Sequence, residues 1–218
     1  MLTTQQLYDL NHSLAGKYLA AFEYPWQALS GIKNLILTLG PTLGEDYEET
    51  VPTVWIHKTA TVAPSAYLGA PCIIGAHTEV RHCAYIRGSA LVGENCVVGN
   101  SVELKNVILF DNVQVPHYNY VGDSILGYKS HMGAGAVTSN VKSDKTLVVV
   151  KNGDEQAETG LKKFGAMLGD FVEVGCNSVL NPGTVIGRNS NVYPTSCVRG
   201  MVPECSIWKN TGVVVKKI

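Results

Sequence analysis

Three things are missing from this 218-residue sequence, and each absence excludes a class of protein. There is no excess of charge: a formal net charge of −1 gives no electrostatic reason to expect a nucleic-acid or anionic-membrane partner. There is no apolar run of about 18 residues, so no transmembrane helix is expected. The opening segment MLTTQQLYDL lacks a basic stretch followed by an apolar one, and no signal peptide is expected. The six cysteines show no CxxC or zinc-ribbon spacing. They read as reduced core thiols, and the expected location is cytoplasmic. Cys72 and Cys96 fall at a small-residue repeat position, with Cys83, Cys176, Cys197 and Cys205 scattered around them. The length fits one domain, or one domain with a small extension.

What the sequence does have is a period of six. Ile56, Val62, Leu68, Ile74, Val80, Ile86, Val92, Val98, Leu104 and Phe110 form an unbroken aliphatic-to-aromatic run. A second run, in a shifted phase, comprises Leu126, Met132, Leu168, Val174, Leu180, Ile186, Val192 and Val198. Glycine often follows the aliphatic residue, and a small side chain (Ala84, Ala90, Cys96, Ser178, Thr184, Ser190) often comes four later. No α-helix has this period. Stacked hexapeptides do, as a parallel β-helix: three units close one triangular coil, with the aliphatic residue inward and the small residue in the narrow interior. The fold class expected is mainly β, a left-handed parallel β-helix of hexapeptide repeats with an N-terminal helical extension.

Residues 1–50 read as that extension and a linker. A helix is expected over 3–22, opened by a Thr3/Gln6 capping box, and a second over 26–39, stopped by Gly40-Pro41. An acidic linker follows. The simplest role for the helices is to cover an open end of the solenoid; docking a partner is the other. The β-helix is expected over 51–210, with a C-terminal tail over 211–218. Two interruptions stand out. The phase shifts across Val115–Tyr120, and the pattern lapses over about 139–163, which reads as an excursion, with a hairpin through Leu147–Val150. In repeat proteins, interruptions are where function is grafted.

The segments Ala84-Tyr-Ile-Arg-Gly88, Val98-Gly-Asn-Ser-Val-Glu-Leu-Lys105, Pro116-His-Tyr-Asn-Tyr-Val-Gly-Asp123 and Met132-Gly-Ala-Gly-Ala-Val-Thr-Ser-Asn140 occur in this order. Together with the hexapeptides they resemble the left-handed β-helix acyltransferases. The nearer resemblance is to the C-terminal acetyltransferase domain of bacterial glucosamine-1-phosphate acetyltransferase/UDP-N-acetylglucosamine pyrophosphorylase and of archaeal sugar-1-phosphate nucleotidylyltransferases. Leu161–Asp170 and Leu180–Thr184 look more like the archaeal branch. The Gly-rich nucleotide loop of the partner half of those enzymes is not in this sequence. Nucleotidyltransferase activity is therefore not expected, and Mg²⁺ would enter only with a separate nucleotidylyltransferase partner.

Acetylating an amine needs a base, and His117 is the candidate, since an imidazole with an ordinary pKa of about 6.5 suits proton transfer near neutral pH. The resemblance implies the same role. Asp123 or Glu103 could orient its ring. Arg87 and Lys105 are one coil apart and expected to stack on one face, where a fork and a point charge suit a phosphate; an ion pair between Glu103 and Lys105 is not expected. By resemblance, Tyr120 helps hold the sugar phosphate and Asn140 positions the amino sugar. His131 replaces a substrate-contacting Asn, leaving the sugar open, and Lys142 and Lys145 lie near a family lysine. Cys176 and Lys209 are implied contacts for acetyl-CoA, the co-substrate. The same fold hosts a zinc carbonic anhydrase with three His; here His77 and His82 are five apart and His117 lies 35 after His82, but the expected third His, five after His117, is Gly122, so no metal site is expected.

The leading expectation is an acetyl-CoA-dependent N-acetyltransferase acting as a homotrimer on an amino-sugar phosphate or nucleotide-linked amino sugar. The alternative is a non-catalytic sugar-nucleotide-binding scaffold that partners a nucleotidylyltransferase.

Overall fold

The computed structural model describes residues 1–217. Its body is the left-handed parallel β-helix expected, mainly β with few helices. The strands stack in three ladders. The first face runs from Val54–His57 through Cys72–Ile74 and Ala90–Val92 to the later halves of Glu103–Leu109 and Tyr120–Leu126, then Ala166–Leu168, Thr184–Ile186 and Met201–Val202. The second runs from Thr61–Val62 to Ser206–Trp208, and the third from Tyr67–Leu68 to Cys197–Val198. The inward residues of both hexapeptide runs are buried, among them Ile74, Val80, Ile86, Val98, Leu104, Leu126, Met132, Leu168, Leu180 and Val198. Each such side chain contributes roughly 1.5–3 kcal/mol by leaving water. The small position is buried too: Thr78, Ala84, Ala90, Cys96, Ser178, Thr184, Ser190 and Ser196.

The corners divide their labour. Left-handed φ falls mostly on non-glycine residues, including His77, Cys83, Ser89, Asn95, Asn106, Asn112, Tyr118 and Asp123. The glycines that follow the inward residue serve close approach instead. A Cβ on Gly99 would lie 1.5 Å from the Pro116 carbonyl oxygen of the next coil, and one on Gly75 would lie 2.4 Å from that of Gly93.

The phase shift is not where the sequence suggests. On the first face, register runs Ile56, Ile74, Val92, Leu109, Leu126, Leu168, Ile186 and Val202, in steps of 18, 18, 17, 17, 42, 18 and 16 residues. The intervals Val98–Val115 and Leu104–Val121 are 17 as well. Two successive coils each lose one residue, at the corners of Asn106 (φ 54°) and Asp123 (φ 47°). Leu109 therefore takes the rung that the period assigns to Phe110. Phe110 is buried against Tyr8, ring centroids 5.0 Å apart. The long step holds the excursion, which carries a hairpin of Val149–Asn152 paired with Glu155–Glu158.

The N-terminal segment departs from one long helix. The Thr3/Gln6 capping box forms, but the helix runs only Thr4–Leu7, followed by a 3₁₀ turn at Leu10–His12 and a helix at Gly16–Leu19. The Asp9 carboxylate accepts from the Asn11 amide and the Ser13 hydroxyl from the Ala15 amide; such local bonds compete with helix continuation. The second helical stretch splits into Pro25–Gly31, 3₁₀, and Ile32–Leu39, α. These pieces lie along the flank of the solenoid, not over its end. Tyr8 Oη donates to the Ile125 carbonyl (3.4 Å), Asn106 Nδ2 donates to that of Leu29 (3.2 Å), and Trp26 stacks on Phe164 at 5.9 Å. The ends are closed by antiparallel strands instead: Tyr47–Val51, in the acidic stretch, on Val54–His57, and Val214–Lys216 on Ser206–Trp208. Both satisfy edge groups that an open coil would leave bare.

The cysteines correct one expectation. All six are free thiols, but only Cys72 and Cys96 are buried; Cys83, Cys176 and Cys197 are exposed and Cys205 half-buried. Cys83 and Cys205 occupy left-handed corners, where the side chain leaves the core. Burial pushes the Cys72 and Cys96 thiols up to about 12. Titration with a thiol-specific disulfide reagent at pH 8 is thus expected to modify Cys83, Cys176 and Cys197 rapidly. Cys72 and Cys96 should react only after denaturation, because the thiolate is the reactive form. Peptide mapping of the early product checks this.

Candidate functional site

Polar side chains cluster at the two shortened corners. Asp123 is nearly fully buried at its left-handed corner. Its carboxylate accepts from Lys105 Nζ at 2.9 and 3.0 Å, from Asn106 Nδ2 at 3.0 Å and from Asn140 Nδ2. Asn140 also donates to Tyr120 Oη at 3.1 Å. Tyr120 is held above its ordinary pKa by burial first, then by the Asp123 and Glu103 charges. Arg87 lies on the rung below Lys105, since Ile86 pairs with Leu104. Its guanidinium donates to Glu103 Oε1 at 2.8 Å, a hydrogen bond that raises the Arg87 pKa. Four of the residues singled out in the sequence (Arg87, Lys105, Tyr120 and Asn140) therefore share one corner, between the third and first faces.

His117 stands on the other side of the Tyr118 corner, exposed at the end of the strand Gln114–His117. Neither proposed orienting carboxylate serves it: Glu103 holds Arg87, and Asp123 holds Lys105 and the two asparagines. His117 lines a groove of about 480 Å³ on the second face, with Arg81, Gln114, His131, Gly133 and Cys176. His131, Gly133 and Cys176 also line the adjoining groove of about 830 Å³, which runs along the coils to Lys209, Lys216 and Lys217. His131 thus sits with His117 in the groove and not with Lys105, Tyr120 and Asn140. Its Nδ1 is 2.8 Å from Glu173 Oε2. Glu173, Asn106 and the buried setting of Asp123 were not singled out from the sequence. Asn106 and Asp123 carry one signal in common, a polar residue able to adopt left-handed φ where the period drops a residue.

The corner offers two cations and amide donors, suited to a phosphate and a sugar hydroxyl. The two grooves join through His131, Gly133 and Cys176, with lysines at one end and an exposed imidazole at the other. Among the described residues no group of three or more His, Cys, Asp or Glu is placed to hold a metal ion, and no helix is long and apolar enough to cross a membrane.

The family described as the GMPPB C-terminal domain matches residues 88–202, more than half of the chain, including both shortened corners. The chain belongs to that family. Among curated relatives, the bifunctional protein GlmU of Methanococcus maripaludis is 31% identical over 198 residues, covering 89% of this chain and 48% of that protein. The GlmU of Methanocaldococcus jannaschii gives the same figures, 31%, 89% and 48%. The bifunctional sugar-1-phosphate nucleotidylyltransferase/acetyltransferase of Sulfurisphaera tokodaii is 29% identical over 178 residues, covering 80% of this chain and 44% of that one. The chain spans about half the length of the curated relatives it matches. Among solved structures, an N-acyltransferase from Bacillus cereus in complex with dTDP and coenzyme A aligns with TM-score 0.36 and 17% identity, over 75% of this chain and 80% of that one. GDP-perosamine N-acetyltransferase from Caulobacter crescentus aligns with TM-score 0.34 and 16% identity, over 73% and 55%.

Proposed function

We propose that this β-helix is an acetyl-CoA-dependent N-acetyltransferase for an amino sugar carrying a phosphate or nucleotide. The observation that carries the proposal is the Asp123-centred corner beside a groove that ends at His117. In this reading Arg87, Lys105 and Tyr120 bind the phosphate, Asn140 positions the sugar, and Asp123 fixes the Lys105 and Asn140 side chains. Acetyl-CoA lies along the second face, its pantetheine past Cys176 and its phosphates toward Lys209. His117 takes the proton as the amine attacks the thioester carbonyl, and His131, one coil away, contacts the reacting end of the groove. The phosphate corner and the groove lie at opposite edges of the third face, which suits a site completed between neighbouring subunits, hence a homotrimer. The relative named as a bifunctional sugar-1-phosphate nucleotidylyltransferase/acetyltransferase supports the acetyl-transfer half of this assignment, and the proposed location is the cytoplasm.

A groove test separates this from a binding scaffold. Cys176→Trp, which would fill the groove beside Gly133, is expected to raise the acetyl-CoA KM at least about tenfold, a loss of roughly 1.4 kcal/mol in binding. The KM for the amino sugar should change little. An unchanged acetyl-CoA KM would remove acetyl-CoA from this groove.

A further inference from the structure

A second cationic site lies away from both the corner and the groove. The excursion folds back over the later coils, and two glycine corners let it dock. A Cβ on Gly200 (φ 73°) would lie 2.6 Å from the Lys151 carbonyl oxygen, and one on Gly183 (φ 81°) 2.8 Å from Val148 Cγ1. Val148, just before the hairpin, and Val150, within its first strand, are fully buried, so this strand is anchored to the coil. Between the hairpin and the coil is a cavity of about 310 Å³ lined by Lys142, Lys151, Gln156 and Arg199, with Val149, Pro182 and Gly200 completing its wall.

Three cations line this cavity, and no carboxylate does. Asp144 lies 3.3 Å from Lys142 Nζ but is not part of the wall. Among the described residues, neither Lys151 nor Arg199 has a carboxylate within ion-pair distance. Like charges gathered around one pocket repel unless an anion neutralises them, and a cleft lined by one sign of charge draws counter-ions into it. A guanidinium fork with two ammonium point charges and an amide donor is the chemistry that recognises a phosphate. The cavity has room for a compact phosphorylated molecule and not for an extended one.

We propose that Lys142, Lys151, Gln156 and Arg199 form a second phosphate-binding site, distinct from Arg87 and Lys105, that takes the phosphate group of a small phosphorylated metabolite. Lys142 follows Asn140 by two residues, so the site and the Asp123 corner share one segment of chain. The proposal does not depend on acetyl transfer.

The test is calorimetric titration of the full chain with pyrophosphate at low salt. Wild type is expected to bind. Arg199→Ala and Lys151→Ala should each weaken binding at least about tenfold, the loss of one charge-assisted contact of about 1.4 kcal/mol or more, while Lys105→Ala leaves that binding in place. Both altered residues are exposed, so melting temperatures should stay near wild type. Repeating the titration on Lys105→Ala with glucosamine 1-phosphate present identifies the source. Competition means that the substrate's own phosphate reaches this pocket; its absence means a separate metabolite does. No binding by wild type, binding unchanged by both Arg199→Ala and Lys151→Ala, or binding abolished by Lys105→Ala would each overturn the site.

Discussion

His117→Ala is expected to lower the rate of acetyl transfer by about 10²- to 10⁴-fold, the range for loss of a positioned general base. The acetyl-CoA KM and the melting temperature should be little changed. The side chain stands exposed at the end of its strand. What fixes that strand end is the backbone: the His117 amide donates to Asn119 Oδ1 (3.1 Å) and its carbonyl accepts from the Gly135 amide (3.0 Å). Alanine keeps both bonds. Removal of the imidazole should therefore appear in kcat and not in folding. Steady-state thiol release from acetyl-CoA, beside a thermal melt, measures both. His131→Ala provides the contrast. If His117→Ala loses less than about tenfold while His131→Ala loses more, the proton goes to the imidazole that Glu173 holds, and His117 is not the base.

The second large effect is expected at Asp123. Asp123→Asn preserves size and tolerance of left-handed φ but removes the charge on which three donors converge. Lys105 then has no counter-charge, and the new amide presents its own donor to a site already full of donors. Leaving charged and amide groups poorly satisfied costs about 2–3 kcal/mol, which for a chain of this size is a fall in melting temperature of roughly 5–10 °C. The KM for the amino-sugar substrate should rise too, because Lys105 and Asn140 lose the partner that holds them. Thermal melts and substrate kinetics on the one variant check both. Arg87→Ala makes the comparison. Its ion pair with Glu103 is about half exposed, 46% at Arg87 and 33% at Glu103, and exposed pairs contribute about 0–1 kcal/mol, so stability should hardly change while phosphate binding weakens. An Asp123→Asn protein that melts with wild type would show that the corner is held by its backbone alone.

The solenoid was legible because its signal repeats: each inward aliphatic residue and each small interior residue is one vote for the same period. Single events carry less weight. The lost residues at Asn106 and Asp123 could not be placed from the sequence, because Leu109 and Phe110 are both apolar and either can extend the run. Only the register with Val92 and Leu126 selects Leu109. The N-terminal stripe of leucines has helical spacing, yet Asp9, Asn11 and Ser13 break it through local bonds whose strength periodicity does not register. At the site, the vertical stacking of Arg87 and Lys105 follows from the coil length. The bond from Lys105 to Asp123 joins residues 18 apart in sequence, and in the shortened coil Asp123 sits one position beyond Gly122, the residue that pairs with Lys105. The pairing of His131 with Glu173 spans the excursion, 42 residues, and no local pattern announces it.

The most direct measurement is thiol release from acetyl-CoA by the full chain against a panel of amino-sugar 1-phosphates and UDP- and dTDP-linked amino sugars. Turnover with at least one member, saturable in both substrates and requiring the free amine, is the expected result. Binding of a sugar nucleotide without release of thiol from any member of the panel would contradict acetyl transfer and leave the β-helix as a binding scaffold.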